Sequence, residues 1–324
     1  FQPNGFGTVQ TNERSAVTDN SGKSLILASA NPLTHYNYIS TESGCSHRFG
    51  VVTTDSYIFF IDTLRKKIFK FGNGLEPISD SKGLSGKLRE LCNGDIVNTD
   101  TTLAEIGIGV HGAYYPEHNS VFFTFMSEGN RLGGDGSQVF QIADTLSFNL
   151  ILDQFESFHS FAPGMYLKTP NRLICENPSI KSEGYQIYKG DYGNYFGENE
   201  ASYVTVISNE YPQITKVFNN LLLHTEVYNT NGTNMSNTTI DSVQCWNDYQ
   251  NTGVVTLTEG SNIKRLERKW NTQVPRDASN AGYSSLSKPR MRDTHLFIKL
   301  LYNNTANQKL ILHDINSFYQ ESIT

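Results

Sequence analysis

With 324 residues, the chain has room for one large domain or two ordinary ones, each with a buried core. Its 17 Tyr and 19 Phe, 12% aromatic in all, exclude a disordered polar chain and favour strands. A net charge of −6 with scattered basic residues excludes the basic patch that nucleic-acid binding requires, and no apolar run approaches the roughly 20 residues of a membrane-spanning helix, so the chain reads as soluble.

The chain opens at Phe1, and FQPNGFGTVQ lacks the basic and apolar regions of a signal peptide, so it reads as a fragment or processed product of something longer. Residues 1–43 hold one strand-rich stretch, SLILASANPLTHYNYIS, an N-terminal strand segment that stands ready to complete a neighbouring blade. Residues 58–83 read IFFIDTLRKKIFKFGNGLEPISDSKG, in which two apolar runs flank a basic tip at Leu64, Arg65, Lys66 and Lys67 and a Gly-Asn-Gly turn follows. Phe59, Ile61, Ile68 and Phe71 are its packing candidates. LSGKLRELCNG, residues 84–94, is the single helical pattern, with Leu84, Leu88, Leu91 and Cys92 on one face and Asn93-Gly94 as the stop.

Hairpins of the same style recur along the chain. NSVFFTFMSEGNRLGGDGSQVFQIADTLSFN has a Gly-rich tip, NRLICENPSIKSEGYQIYKGDYGNYFG runs on into ASYVTVISN, and NLLLHTEVYNTNGTNMSNTTIDSVQCWNDYQNTGVVTLT is a fourth. From Ile58 to Val121, Leu173 and Leu222 the steps are 63, 52 and 49 residues, near the roughly 40–50 residues of a four-stranded propeller blade. One such sheet cannot cover both of its faces, and radial stacking does so while leaving short edges. The expected fold is therefore all-β: a β-propeller-like array of antiparallel four-stranded blades over residues 44–290, with a C-terminal β-hairpin over residues 291–324 that turns between Asn303-Asn304 and Asn307. One or two β-sandwiches form the rival architecture.

Chemistry-bearing patterns are sparse. ENP, GGDG and GDYGNYFGENE set carboxylates among glycines, and Asp191, Glu198 and Glu200 are hard oxygen donors of the kind calcium takes, but the spacing is not that of an EF-hand and reads as turns. DQFESFHSF combines Asp153, Glu156 and His159, the residue types of glycosidase acid–base pairs, yet Phe155, Phe158 and Phe161 give it the pattern of an aromatic-anchored strand or turn. Cys45 and His47 are a thiolate–imidazole pair without identifiable partners, and the four well-separated cysteines, Cys45, Cys92, Cys175 and Cys245, read as buried or incidental free thiols. Asn231, Asn234 and Asn237 begin three Asn-x-Ser/Thr triplets in a polar hairpin tip. With only Trp246 and Trp270, no sialidase-type turn and no nucleophile, Walker or zincin motif, no catalytic, cofactor-binding or metal residue is assigned.

GCSHRFGVVTTDSYIFFIDTLRKKIFKFGNGLEPISDSKGL (residues 44–84), GVHGAYYPEHNSVFFTF and LSFNLILDQFESFHSFAPGMYL resemble segments of large tail-associated virion proteins of crAss-like and related phages of gut Bacteroidetes, the muzzle type. The closing RMRDTHLFIKLLYNN and KLILHDINSFYQ look like that family's C-terminal hairpin. Family members are much longer, so the chain matches the C-terminal part of one. The resemblance implies a propeller-like structural module in the phage tail, without enzyme activity or cofactor. It implies packing against other tail subunits in a homo-oligomeric ring or multi-copy assembly, with Arg65, Lys66 and Lys67 facing acidic partner surfaces. The alternative expectation is a carbohydrate-binding or carbohydrate-cleaving propeller engaging host glycans, resting on the Tyr supply and on Asp153 and Glu156.

Overall fold

A computed structural model describes residues 1–11, 15–18, 24–27, 33–92, 96, 108–128, 140–159, 161–169, 172–177, 180–279 and 287–322. The Gly-rich tip containing GGDG and the Asn93-Gly94 stop lie outside the described residues. The described fold is all-β, with every strand pairing antiparallel, and its few helices are too short to cross a membrane. The chain divides into two units, Phe1–Tyr188 and Lys189–Thr324.

In the first unit, β1 (Phe6–Thr11), β2 (Ser15–Thr18), β3 (Ser24–Leu27) and β4 (Leu33–Ser40) form two pairs, β1 with β4 and β2 with β3. Three meanders follow. β5 (Val51–Thr53), β6 (Ile58–Asp62), β7 (Lys67–Phe71) and β8 (Leu75–Glu76) pair in chain order. Next come α1 (Ile78–Ser81) and α2 (Ser85–Leu91), then a second four-stranded meander of β9 (Gly109–Tyr115), β10 (Ser120–Glu128), β11 (Phe140–Asn149) and β12 (Gln154–His159). The third has three strands, β13 (Tyr166–Thr169), β14 (Arg172–Asn177) and β15 (Ile180–Gln186). Ile58, Val121 and Leu173, the residues that mark the sequence repeat, each fall on the second strand of a meander.

Burial explains the near-continuous apolar runs. β10 is buried on both faces: Val121, Phe123 and Phe125 join the core that includes Phe59, Ile61 and Phe148, while Phe122 meets Phe161, Tyr166 and Tyr188 on the other side. A strand covered on both sides has no need of polar alternation. The same holds for β6. Phe59 and Ile61 lie on one face with Ile68, Phe59 packing 5.6 Å from Phe148. Phe60 turns the other way, stacked on Phe69 at 5.2 Å and packed on Phe6 at 5.1 Å. Phe71 sits with this second group, 5.4 Å from Phe6, and not with Ile68, because it is registered opposite Ile58. Leu84, Leu88, Leu91 and Cys92 are all buried, so α2 docks through the face the sequence marks.

The second unit is built differently. After the short pair β16 (Asn194–Tyr195) and β17 (Glu198–Asn199) come β18 (Ser202–Ser208), β19 (Lys216–Tyr228), β20 (Ser242–Trp246), β21 (Val255–Thr256), β22 (Ile263–Leu266), β23 (Lys269–Gln273), β24 (Arg292–Asp293), β25 (Leu296–Tyr302) and β26 (Lys309–Glu321). One sheet has the order β18-β25-β20-β21. The other runs β22-β23-β19-β24, with β26 on the opposite side of β19. Leu221, Leu223 and Trp270 of the second sheet share one core with Val243, Ile298 and Leu300 of the first.

Two sequence expectations are corrected here. The stretch around Leu222 is not a local hairpin, because β19 pairs with β23, β24 and β26 while β20 pairs with β25 and β21. Nor do β25 and β26 form a C-terminal hairpin. The turn at Asn304 to Asn307 exists, but it carries the chain from one sheet to the other. Each arm gains pairing that way: β25 has a partner on both sides, β18 and β20, and all of β26 runs beside the equally long β19. Turn chemistry is local, whereas the choice of partner is settled by which apolar face meets the core.

Candidate functional site

The sequence candidates are not brought together into a reactive centre. Cys45 is buried, its thiol donates to the His47 carbonyl at 3.4 Å, and burial pushes it up to about 11, which keeps it protonated. Cys92, Cys175 and Cys245 are likewise buried free thiols, each pushed up to about 12 by burial. Asp153 occupies the turn before β12 with φ of 51°. It binds Lys82 at 2.7 Å and Lys70 at 2.9 Å, which hold it below the usual carboxylate range. Glu156 is exposed, while His159 is half-buried against Phe122 and Phe161 and is lowered to about 4 by burial. No acid–base pair results, and nothing in this arrangement favours glycan cleavage. Asp191 accepts from Asn307 at 3.3 Å, and Glu198 and Glu200 are not gathered with it into a ligand cluster. Asn231, Asn234 and Asn237 lie on an exposed tip.

His47 is a structural histidine with a measurable signature. The Val110 N–H donates to His47 Nδ1 at 3.3 Å, so this nitrogen must be unprotonated, and burial, with His111 adding to it, lowers the imidazole from 6.5 to about 4. The unfolded chain takes up this proton near 6.5 and the folded chain only near 4. Stability is therefore unaffected by this group above pH 6.5 and falls below it, by up to about 1.4 kcal/mol per pH unit. Between pH 6.5 and 4.5 the native chain should lose about 2 kcal/mol more than a His47→Gln variant, read by guanidinium unfolding at both pH values. Equal losses would remove His47 as the cause.

The basic tip of residues 64–67 is mostly neutralised from within. Arg65 binds the buried carboxylate of Asp62 at 3.0 Å, and Lys67 binds Asp80 at 2.5 Å. Two of the three cations that the sequence offers to an acidic partner are thus spent on local structure.

A contact surface is found elsewhere, in the second unit. Among the described residues β18 pairs only with β25, and β26 only with β19, so each is the edge of its sheet there. Ser208 and Ser317 hydroxyls meet at 2.5 Å and Tyr319 donates to Glu210 at 3.3 Å, which sets the two edges over one another on the same side. Four consecutive residues of β18, Ser202 to Thr205, are exposed. Tyr203 and Ile207 are 65% and 58% exposed, and Phe318 of β26 is 51% exposed. Edge strands with unpaired amides and carbonyls are usually short, charged or covered; β18 is seven residues long and carries no charged side chain, the condition for strand addition by another chain. The sequence shows ASYVTVISN as a strand but carries no mark of its being an edge.

Residues 1–179 match the Crassvirus muzzle protein family, and residues 190–277 match the Crassvirus muzzle protein C-terminal domain. The chain is also similar to the muzzle protein of Bacteroides phage crAss001, 22% identical over 321 residues, which are 97% of this chain and 21% of that protein. The chain thus spans about a fifth of the length of the curated relative it matches. With the first of these matches covering more than half of its residues, the chain belongs to the Crassvirus muzzle protein family.

Proposed function

We propose that this chain is part of a structural component of a bacteriophage virion, located in the tail, that acts by packing against other virion subunits in a multi-copy assembly and not by catalysis. Family membership supports the virion role, and the observation that carries the packing role is the open side formed by β18 and β26. The meanders of the first unit, the first two sharing one core and the third packed on the second through Tyr166, support a propeller-like reading in which they are consecutive blades of a larger array. The second unit takes no part in that reading, because its sheets draw strands from distant parts of the chain.

The test is a paired variant, Tyr203→Glu with Ile207→Lys, introduced into the phage-encoded protein. Both side chains are exposed, so thermal stability should change by less than about 0.5 kcal/mol. Incorporation into purified virions, quantified by mass spectrometry against the major capsid protein, should fall at least about tenfold, equivalent to about 1.4 kcal/mol of lost interface energy. Full incorporation of the variant would overturn the role of this edge, and absence of the native chain from virions would overturn the reading as a whole.

A further inference from the structure

We propose that His224, Glu226 and His313 form a binding site for a divalent transition-metal cation of the zinc class, which staples the edge strand β26 to the central strand β19.

The site follows from strand geometry. His224 and Glu226 are alternate residues of β19, so they share a face, and it is the outer one because Leu223, Thr225 and Val227 are buried on the inner side. On β26, Asp314 lies opposite His224 and Leu312 lies opposite Thr225, which leaves His313 as the extra residue of a β-bulge. A bulge re-aims its side chain, and here it brings His313 onto the outer face, its ring 4.6 Å from that of His224 and its Nε2 3.5 Å from Glu226 Oε2. Without the bulge, strict alternation would set residues 313 and 314 on opposite faces.

One donor atom from each of the three residues lies within 4.8 Å of the others. Two imidazoles and one carboxylate are the protein ligands of open zinc sites, bound at about 2.0–2.2 Å. A tetrahedral arrangement at those lengths needs donors about 3.3 Å apart, so small side-chain rotations complete it without moving the backbone. A second layer is already present. Asp314 Oδ2 lies 3.6 Å from His224 Nδ1, Lys269 holds Asp314 at 3.2 Å, and the Tyr228 hydroxyl donates to Glu226 at 2.8 Å. Carboxylates behind ligating histidines fix ring orientation and raise basicity. A groove of about 330 Å³, lined by His224, Glu226, Asn234, Met235, Arg265 and Arg268, leaves room for water or an anion at the remaining position.

The alternative without metal is a surface cluster in which the two rings stack between two carboxylates. Zinc chloride titrated into the whole chain by calorimetry separates the two. One equivalent should bind, and cobalt(II) should give visible bands of a four- or five-coordinate centre without thiolate charge transfer. His313→Ala and Glu226→Gln should each weaken zinc binding at least about a hundredfold, and Asp314→Asn about ten- to a hundredfold. His295→Ala, which disrupts the separate Asp248–Asp293–His295 cluster, should leave binding unchanged. Binding should also raise the unfolding temperature of the native chain and not that of His313→Ala. Should a variant fail to fold, the histidine ring signals of the native protein decide instead, with those of His224 and His313 shifting on zinc addition. No bound zinc, loss of binding in His295→Ala, or one equivalent retained by His313→Ala would overturn the proposal.

Discussion

Replacing Asp62 with Ala is expected to destabilise the first unit by about 2–4 kcal/mol. Asp62 is 1% exposed, and its carboxylate accepts from the Gly44 N–H at 3.2 Å, the Arg65 N–H at 2.9 Å and the Arg65 guanidinium at 3.0 Å. The Arg65 side chain is partly exposed and re-solvates when its partner is lost, so the larger part of the cost comes from the buried Gly44 amide. That amide matters beyond its own bond. Gly44 is packed so closely that a Cβ there would lie 2.0 Å from the Gln2 carbonyl, and the same carbonyl accepts the Cys45 N–H at 2.9 Å. Asp62 thus holds the segment onto which the N-terminus is bonded. Asp62→Asn should cost nearly as much, since an amide group replaces one oxygen and presents a donor where donors already point. Both tryptophans lie in the second unit, so the loss should be followed by far-ultraviolet circular dichroism in a urea titration. A change below about 1 kcal/mol would remove Asp62 from this role.

Phe122→Ala should cost about 3–5 kcal/mol. The ring is fully buried on β10 and touches rings from its own meander and the next: His159 at 5.7 Å, Phe161 and Tyr188 each at 6.2 Å and Tyr166 at 6.4 Å. The neighbouring Thr124 hydroxyl, on the same face, meets the Tyr166 hydroxyl at 2.6 Å. Phe122 is therefore the main apolar link between the second and third meanders, and its loss leaves a cavity that the surrounding strands cannot close. Hydrogen exchange should show the effect as a loss of protection concentrated in β13 and β14, with β6 and β7 retaining theirs. Uniform loss over all three meanders, or a cost near 1 kcal/mol, would contradict this reading.

Both predictions rest on residues whose roles were unequally visible beforehand. Strand character was legible throughout, because β-branched and aromatic runs bounded by Gly, Asn and Pro are a local property. The recurrence at Ile58, Val121 and Leu173 was legible for the same reason: each meander pairs neighbours in sequence. The face of α2 through Leu84, Leu88 and Leu91 was likewise carried by a local period. Phe60 and Phe69 were missed as packing residues, since period 2 marks one face of a hairpin, and here both faces are covered.

Amino-acid order alone determined that the chain would be all-β, that its first half would fold as successive antiparallel meanders, and that its motifs would resemble those of crAss-like phage virion proteins. Only the tertiary structure decided that the second half would interleave its strands into two sheets around one core, that Arg65 and Lys67 would be neutralised at home, and that β18 and β26 would be left as open edges. It also decided that a one-residue bulge would bring His313 beside His224 and Glu226. The division has a physical cause. Strand propensity and turns are set by residues a few positions apart, whereas partner choice, edge exposure and bulge position depend on burying apolar faces between segments up to about a hundred residues apart, and no short stretch of sequence encodes that competition.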